Sequence, residues 1–273
     1  MPHLPHACTV TVTSDSTSPG IPWLVLRAEL VGTAALVLVG LSIVTLMFGE
    51  GSPIPGVLPS EGWRRLITGF LFGTTGACIA LSPVGKRSGA HINPIVTLAF
   101  RLMGKLDLST SLGYVAAQLA GGILGSLPLL AWGAMGRSVA FGATFPGEGY
   151  GVGAALLGEV ITTFAMVTLL CVFLAVRRIR PFTPAIFPIL FAVMVYAESP
   201  ISGTSCNPAR SLGPSIISGR WDGWWIYWVG PAIGSVAACV ACSALAKRIT
   251  VAKLYHFDSD RDRLFRKKAR PSA

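Results

Sequence analysis

Two ten-residue segments of this chain repeat one another: SGAHINPIVT at 88–97 and SGTSCNPARS at 202–211. Each begins with Ser-Gly and places Asn-Pro at the same distance, so that Asn93 and Asn207 are 114 residues apart (207 − 93). Asn is a preferred helix N-cap, and Pro is favoured at the first helical position, where its missing N–H costs nothing. The repeat therefore predicts two helices that begin at Pro94 and Pro208.

Both predicted helices are short, because Gly104 follows the first and Gly219 follows the second. About ten residues at a rise of about 1.5 Å give roughly 15 Å per helix. Two such helices placed end to end cover about 30 Å, the thickness of the hydrocarbon core of a bilayer. We interpret the pair as the two halves of one broken membrane span.

The composition is that of a polytopic membrane protein, with 52% hydrophobic and 12% charged residues and a mean hydropathy of +0.63. Apolar segments long enough to cross a membrane lie at 23–48, 66–81, 111–132, 152–176, 183–197 and 221–245. We expect an all-α protein with six transmembrane helices and two re-entrant half-helices. The predicted divisions are a disordered N-terminal tail at 1–20, a channel domain at 21–246 with repeats at 21–135 and 150–246, and a basic cytoplasmic tail at 247–273.

Three full spans precede the second half of the chain, so the second repeat enters the membrane from the opposite side. The two motif loops then approach from opposite faces, and their helix N-termini are expected to meet near the midplane. Irregular backbone at that depth is tolerated where it lines a water-filled cavity or is buried in protein. The repeat thus predicts a functional site in the middle of the membrane.

The charge of +10 arises largely at the C-terminus, where nine of the 22 basic residues lie from Lys247 onward. A basic segment beside a membrane explains this excess without a nucleic-acid partner. The basic residues of 86–105 and 177–180 fall on the same side as that tail, and the positive-inside rule therefore predicts that both termini are cytoplasmic.

The two motifs, with Arg210 three residues after the second Asn, resemble those of the major intrinsic proteins, the aquaporin and aquaglyceroporin family. AELVGT at 28–33, GEVITTF at 158–164 and YWVGPAIG at 227–234 resemble the family at the corresponding places, while Ile95 departs from its usual Asn-Pro-Ala. The resemblance implies a passive channel in the cell membrane that is not an enzyme, holds no metal or cofactor, and forms a homotetramer in contact with lipid.

Asn93 and Asn207 are the predicted pore asparagines, and Pro94, Ile95, Pro208 and Ala209 complete the motifs. Their amide groups can donate hydrogen bonds to the oxygen of a water or hydroxyl, and the helix N-termini carry partial positive charge. A cation or hydronium would meet this positive potential from both sides. Two inverted copies favour such a function over simple helix capping.

By resemblance, Arg210 belongs to an outer selectivity filter. Its other members, by ungapped counting from the motif asparagines, are Gly73, Val195 and Thr204, with Phe70 and Phe72 as neighbouring alternatives to Gly73. Gly73 and Val195 predict an opening that is wider and less polar than a water-only filter. Glycerol channels of the family have Asp at the position of Ser211, so this residue argues against a glycerol channel.

Glu29 and Glu159 occupy matching places in the first span of each half. Intramembrane carboxylates are functional candidates, and a proton relay is one interpretation. The resemblance implies instead that they accept hydrogen bonds from the backbone of the motif loops, and that His91 lines the pore with its carbonyl group. Cys206, next to Asn207, is a candidate site for mercurial block from the outer side.

The function expected from the sequence is passive conduction of water, together with small uncharged solutes, while protons and ions are excluded. One alternative is a channel chiefly for glycerol or another small neutral solute. An alternative from another class is a secondary transporter, which also uses inverted repeats and broken helices. Coupling would require carboxylates that face a cavity, and Glu29 and Glu159 are the candidates that the sequence offers.

Overall fold

The computed structural model describes residues 23–249 and Lys253, and these residues form an all-α protein. The predictions for the tail at 1–20 and for most of the tail at 247–273 lie outside the described residues. Eight helices have nine residues or more: α1 (Trp23–Phe48), α2 (Glu61–Leu81), α3 (Pro94–Leu102), α4 (Leu108–Ser126), α5 (Val152–Ala175), α6 (Thr183–Ser202), α7 (Pro208–Ser218) and α8 (Ile226–Ala241). Shorter helical turns occupy Ile54–Val57, Pro83–Ser88, Leu127–Trp132, Gly133–Ser138, Ala140–Gly142, Arg180–Phe182 and Ser243–Ala246.

Six of these helices are the predicted membrane spans. Four stretches are by themselves long and apolar enough to cross a bilayer: α1, α4 with the turns that follow it to Ser138, α5, and α6 with the turn that begins at Arg180. The apolar helix α8 has 16 residues, and α2 has 21 but carries Arg64 and Arg65 near its start. With the half-helices α3 and α7, this arrangement confirms the fold class predicted from the sequence.

The packing of the helices follows the internal repeat. In the first half α1 packs on α4, and in the second half α5 packs on α8. The two halves are joined where α2 packs along α6, while α3 lies against α4 and α8, and α7 lies against α4. The half-helices are therefore enclosed by the spans rather than placed at the lipid surface.

Glycine residues allow α2 and α6 to approach one another closely. A Cβ atom added to Gly73 would lie 2.6 Å from the carbonyl oxygen of Phe187, and one added to Gly69 would clash with the carbonyl of Phe191. Gly122 on α4 has the same relation to the carbonyl of Ala209, at the start of α7. Without a hydrophobic force between helices in lipid, such backbone contact supplies much of the packing energy.

Both half-helices begin at the predicted asparagines. Asn93 Oδ1 accepts a hydrogen bond from the backbone N–H of Ile95 at 2.8 Å, and Asn207 Oδ1 accepts one from Ala209 at 3.0 Å. The helix α3 has nine residues and α7 has eleven, and α7 ends at Gly219 in the left-handed conformation (φ 72°). Together they measure about 30 Å along their axes, the length expected for one span divided in two.

Candidate pore

The two motif loops are tied to each other through the side chains of the pore asparagines. Asn93 Nδ2 donates to the carbonyl oxygen of Cys206 at 2.9 Å, and Asn207 Nδ2 donates to that of Ile92 at 3.0 Å. Each asparagine therefore caps its own half-helix with its oxygen and binds the opposite loop with its nitrogen. These reciprocal bonds bring the N-termini of α3 and α7 together.

Glu29 on α1 holds the first loop. Its Oε1 accepts from the backbone N–H of His91 at 3.0 Å, and its Oε2 accepts from that of Ile92 at 2.6 Å. Gln118 on α4 adds a third donor, Nε2, at 2.7 Å from Oε2. These are the contacts expected of Glu29 from the family resemblance, and Gln118 is a partner that the sequence analysis missed.

Glu159 on α5 holds the second loop in the same way. Its Oε1 accepts from the backbone N–H of Ser205 at 2.6 Å, and its Oε2 accepts from that of Cys206 at 2.8 Å. The hydroxyl of Ser202 also donates to Oε1, at 2.7 Å. Each buried carboxylate thus receives three hydrogen bonds, which compensate for the cost of its burial.

The loops adopt a strained backbone that these carboxylates hold in place. Ala90 and Ile92 in the first loop have φ values of 55° and 42°, and Thr204 and Cys206 at the same repeat positions have 52° and 50°. Non-glycine residues in the left-handed region cost about 1–3 kcal/mol each and persist where their surroundings fix them. With these positive φ values, two successive N–H groups of each loop point toward its glutamate.

Two cavities lie next to one another, and Phe72 and Phe191 line both of them. An inner cavity of about 60 Å³ is lined by Asn93 and Asn207 and otherwise mostly by apolar side chains of α1, α2 and α6. An outer cavity of about 380 Å³ is lined by Arg210 and by residues of α2, α6 and the loop at 138–145. The cavity beside the asparagines is thus much smaller than the cavity beside Arg210.

Arg210 lies in the first turn of α7 and is 6% exposed. Its Nη1 donates to the carbonyl oxygen of Gly142 at 2.9 Å, in the loop that follows α4. Val195 and Thr204 line the same outer cavity. The structure therefore brings together three of the four residues predicted for the filter.

The fourth, Gly73, does not face this cavity. Gly73 packs against the backbone of α6 and lines only the inner cavity, whereas Phe72 is the bulky α2 side chain that reaches the outer cavity beside Arg210. Counting back from Asn93 crosses the helical turn Pro83–Ser88 before it reaches α2, and an error of one residue rotates a helix position by about 100°. The expectation of a wide opening depended on Gly73 and Val195 together; Val195 lines the outer cavity, but the α2 residue there is Phe72, and the width of the opening stays a prediction.

The side chain of His91 is buried among aromatic residues. Its ring stacks on Phe100 with centroids 4.6 Å apart and meets the edge of Tyr114 at 5.1 Å, and its Nδ1 lies 3.1 Å from Thr97 Oγ1. The residue also lines the inner cavity, and the expectation that its carbonyl group faces the pore stays a prediction.

Cys206 is completely buried, and its thiol lies 3.3 Å from the hydroxyl of Thr162 on α5. Its backbone conformation turns the side chain into the core between the loop and α5. The prediction that this thiol is reachable for mercurials from the pore is therefore wrong, because only the carbonyl group of Cys206 takes part in the contact with Asn93.

The remaining motif residues are packing residues. Pro94, Ile95, Pro208 and Ala209 are all buried in the half-helices. Ile95 belongs to the main apolar core, which accommodates the larger side chain that departs from the family motif. The isoleucine that stands here in place of the family's alanine still donates its backbone N–H to Asn93, so Asn93 caps the half-helix.

A third intramembrane carboxylate was missed in the sequence. Glu198 on α6 is 6% exposed, accepts a hydrogen bond from the hydroxyl of Thr204, and faces Gly158 on α5. Glu198 lies near the end of α6, close to Pro200. The apolar segment predicted from hydropathy ends at residue 197, so Glu198 was not counted among the carboxylates within the membrane.

Comparison with known proteins agrees with this geometry. The profile of the family described as Major intrinsic protein matches residues 17–241. Aquaporin TIP4-4 of Zea mays is 41% identical over 157 residues, an alignment that covers 55% of this chain and 60% of that relative, less than two thirds of its length. Probable aquaporin NIP4-2 of Arabidopsis thaliana is 32% identical over 230 residues, 82% of this chain and 76% of the relative.

Among solved structures, the aquaglyceroporin from Plasmodium falciparum has the same fold, with a TM-score of 0.66, 20% sequence identity, and coverage of 82% of this chain and 98% of that one. These findings define the class of the protein as that of multi-pass, all-helical membrane proteins of this fold. The chain belongs to the Major intrinsic protein family.

Proposed function

We propose that this channel conducts water passively, admits small uncharged solutes at most as minor permeants, and excludes protons and ions. The observation that carries the proposal is the reciprocal bonding of Asn93 and Asn207 at the wall of the inner cavity. This bonding leaves one side-chain N–H of each asparagine free to donate a hydrogen bond to the oxygen atom of a permeating molecule.

The amide nitrogen of an asparagine carries two hydrogens. In each pore asparagine one of them is donated to the opposite loop and the side-chain oxygen caps a helix, so one N–H remains per residue. A water molecule can accept both of these bonds with its two lone pairs. Its own hydrogens are then turned away from the asparagines, toward neighbouring waters on either side.

Positive charge opposes the passage of cations at two levels. The N-termini of α3 and α7 meet beside the asparagines, and each end is equivalent to roughly half of an elementary charge. Arg210 adds a full charge in the outer cavity, on the same route. A hydronium or sodium ion would have to give up hydration water on this route against that positive charge.

The proposal extends to the assembly of the protein and to its orientation in the membrane. We infer a homotetramer with one pore in each subunit, in the cell membrane, with both termini on the cytoplasmic side. The lipid-exposed apolar residues of α1 and α5, such as Val31 and Ile161, provide surface for lipid and for neighbouring subunits.

A second candidate function is conduction chiefly of glycerol or a similar small neutral solute. The outer cavity favours it, since about 380 Å³ exceeds the space that a few waters need, and Val195 contributes an apolar side chain to its wall. Passage beyond this cavity, toward the asparagines, decides between the two candidates.

Purified protein in liposomes tests the proposal. Stopped-flow light scattering is expected to show osmotic shrinkage well above that of protein-free liposomes, with no ion gradient imposed, while a pH-sensitive dye inside reports no added proton flux. Arg210→Val is expected to retain water flux and to increase leakage of protons or cations, because one of the positive contributions is removed. Water flux equal to that of empty liposomes would contradict the proposal.

A further inference from the structure

Each motif loop is joined to its half-helix by a polar side-chain contact. In the first half, Nδ1 of His91 lies 3.1 Å from the hydroxyl oxygen of Thr97. Ser205 and Ser211 stand at the same repeat positions, 114 residues further along the chain, and their hydroxyl groups are hydrogen-bonded to each other. The repeat thus builds the same link twice, from the residue two before the pore asparagine to the residue four after it.

The two links differ in the residue that supports them. Thr97 accepts a hydrogen bond at 2.9 Å from Nε2 of Gln118, which lies within the regular helix α4. Ser211 accepts one at 2.7 Å from the hydroxyl group of Thr144, which lies in the connecting segment at 139–149 between the two repeats. Because this segment belongs to neither repeat, the inversion of the repeats does not fix its position.

The hydroxyl groups of the second link form a chain with one direction. A hydroxyl group has a single hydrogen to donate. Ser205 donates its hydrogen to the carbonyl oxygen of Asn207 at 3.0 Å. Ser211 is therefore the donor in its bond with Ser205, and Thr144 is the donor to Ser211. Through this chain of buried residues, the connecting segment is bonded to the backbone of a pore asparagine.

The same segment provides the hydrogen-bond partner of Arg210. The guanidinium Nη1 donates to the carbonyl oxygen of Gly142 at 2.9 Å, two residues before Thr144. Ala140, Phe141 and Gly142 have φ values of 47°, 53° and 77°, so the backbone here is left-handed for three residues in succession. Non-glycine residues persist in this conformation where surrounding contacts fix them. The hydrogen bond donated by Thr144 is one of these contacts.

Thr144 supports this geometry from behind the wall of the outer cavity. Its neighbours Ala143 and Phe145 line that cavity, whereas the side chain of Thr144 is directed into the protein and the residue is 3% exposed. Its methyl group packs at Gly203, where an added Cβ would lie 3.1 Å from it. A change of the hydroxyl group alone therefore leaves the side chains that permeants meet unaltered.

We propose that Thr144 is a positioning residue for Arg210. Its hydroxyl group holds the connecting segment against α7, so that the carbonyl group of Gly142 keeps the guanidinium in place beside the outer cavity. The inference rests on the proposed function, in which the charge of Arg210 opposes the passage of cations. Without the hydrogen bond the segment relaxes, the guanidinium loses a fixed acceptor, and its charge is no longer held on the route.

The test measures proton leak and water permeability of liposomes that contain Thr144→Val, with Thr144→Ser as the matched control. Valine has the shape of threonine without the hydroxyl group, whereas serine keeps the hydroxyl group and lacks the methyl group. We expect Thr144→Val to raise the proton leak about two- to tenfold, the range over which the net contribution of one hydrogen bond shifts a population. Thr144→Ser is expected to stay at the level of the unmodified protein.

A double variant identifies Arg210 as the group through which Thr144 acts. If Thr144 works by positioning the guanidinium, the leak of Thr144→Val combined with Arg210→Val equals that of Arg210→Val alone. Three results would overturn the inference and leave the proposed function standing: an unchanged leak in Thr144→Val, an equal rise in Thr144→Ser, or additive leaks in the double variant.

Failure of the proposed function gives a different result. Absence of water flux in the unmodified protein, or absence of a leak in Arg210→Val, would overturn the proposed function and the inference with it. If Thr144→Val does not fold, Ser211→Ala carries the same expectation, since it removes the acceptor of the Thr144 hydroxyl group.

Discussion

Thr204 donates its hydroxyl group to Glu198, so that a residue at the wall of the outer cavity is bound by a carboxylate buried within the membrane-spanning bundle. The second carboxylate oxygen, Oε1, has no hydrogen-bond partner among the described residues and packs against Gly158, where no side chain would fit. The hydroxyl group of Thr204 is thereby held by the carboxylate at the wall of the outer cavity.

The first prediction concerns this bond. Glu198→Gln keeps an acceptor oxygen for Thr204 and is expected to retain water permeability, whereas Glu198→Ala leaves the hydroxyl unpaired at a cost of about 1–3 kcal/mol. We expect the alanine variant to have a lower thermal unfolding temperature and altered permeability for urea relative to water. Ser199→Ala, on the same cavity wall, is the control. Equal behaviour of the glutamine and alanine variants would show that the hydrogen bond does not position Thr204.

The second prediction concerns the loop carboxylates. Glu29→Gln and Glu159→Gln each replace one acceptor oxygen by an NH₂ group that faces a backbone N–H, so one loop donor loses its partner. The expected loss is about 1–3 kcal/mol for each unpaired group, seen as a lower folding yield or water conductance. Glu148→Gln, at an exposed site, is expected to have no such effect.

A change in proton transport would contradict the structural role predicted for Glu29 and Glu159. If Glu29→Gln or Glu159→Gln abolished a proton flux that the unmodified protein carries, and water flux remained, the carboxylates would act as a relay. Measurement of internal pH in the same liposomes distinguishes that role from the structural one.

The third prediction follows from the burial of Cys206. Because its thiol packs against Thr162 and is 0% exposed, the response of water permeability to mercuric chloride is expected to be the same in the unmodified protein and in Cys206→Ser. Relief of inhibition by the serine substitution would show that the thiol reaches the pore.

The fourth prediction concerns membrane orientation. Gly151 is exposed with open space around its Cα, so Gly151→Cys is expected to react with an impermeant maleimide added outside intact cells. Arg178→Cys, exposed in the loop between α5 and α6, is expected to react only after permeabilisation. Gly147 is unsuitable as a labelling site, since an added side chain would clash with the carbonyl of Pro200. Outside labelling at Arg178→Cys would reverse the topology inferred from the basic residues.

The local sequence determined where the half-helices begin and that two copies exist. Asn93-Pro94 and Asn207-Pro208 combine a side-chain cap with a residue whose φ angle suits the first helical position, so each start depends on neighbours in the chain. Hydropathy determined the spans, since the bilayer requires long apolar helices. The odd number of spans in the first repeat, three, determined the inversion of the second repeat, and the reciprocal asparagine bonds join the two motif loops.

Tertiary structure decided which side chains face the conduit. A displacement of one residue along a helix rotates a side chain by about 100°, so Phe72 rather than Gly73 reaches the outer cavity, and counting along the sequence cannot fix that phase across an intervening turn. Glu198 and Thr204 lie six residues apart, but their bond depends on the left-handed turn between α6 and α7. Phe191 and Phe72 lie on different halves of the chain, and only the packing of α2 against α6 brings their rings together.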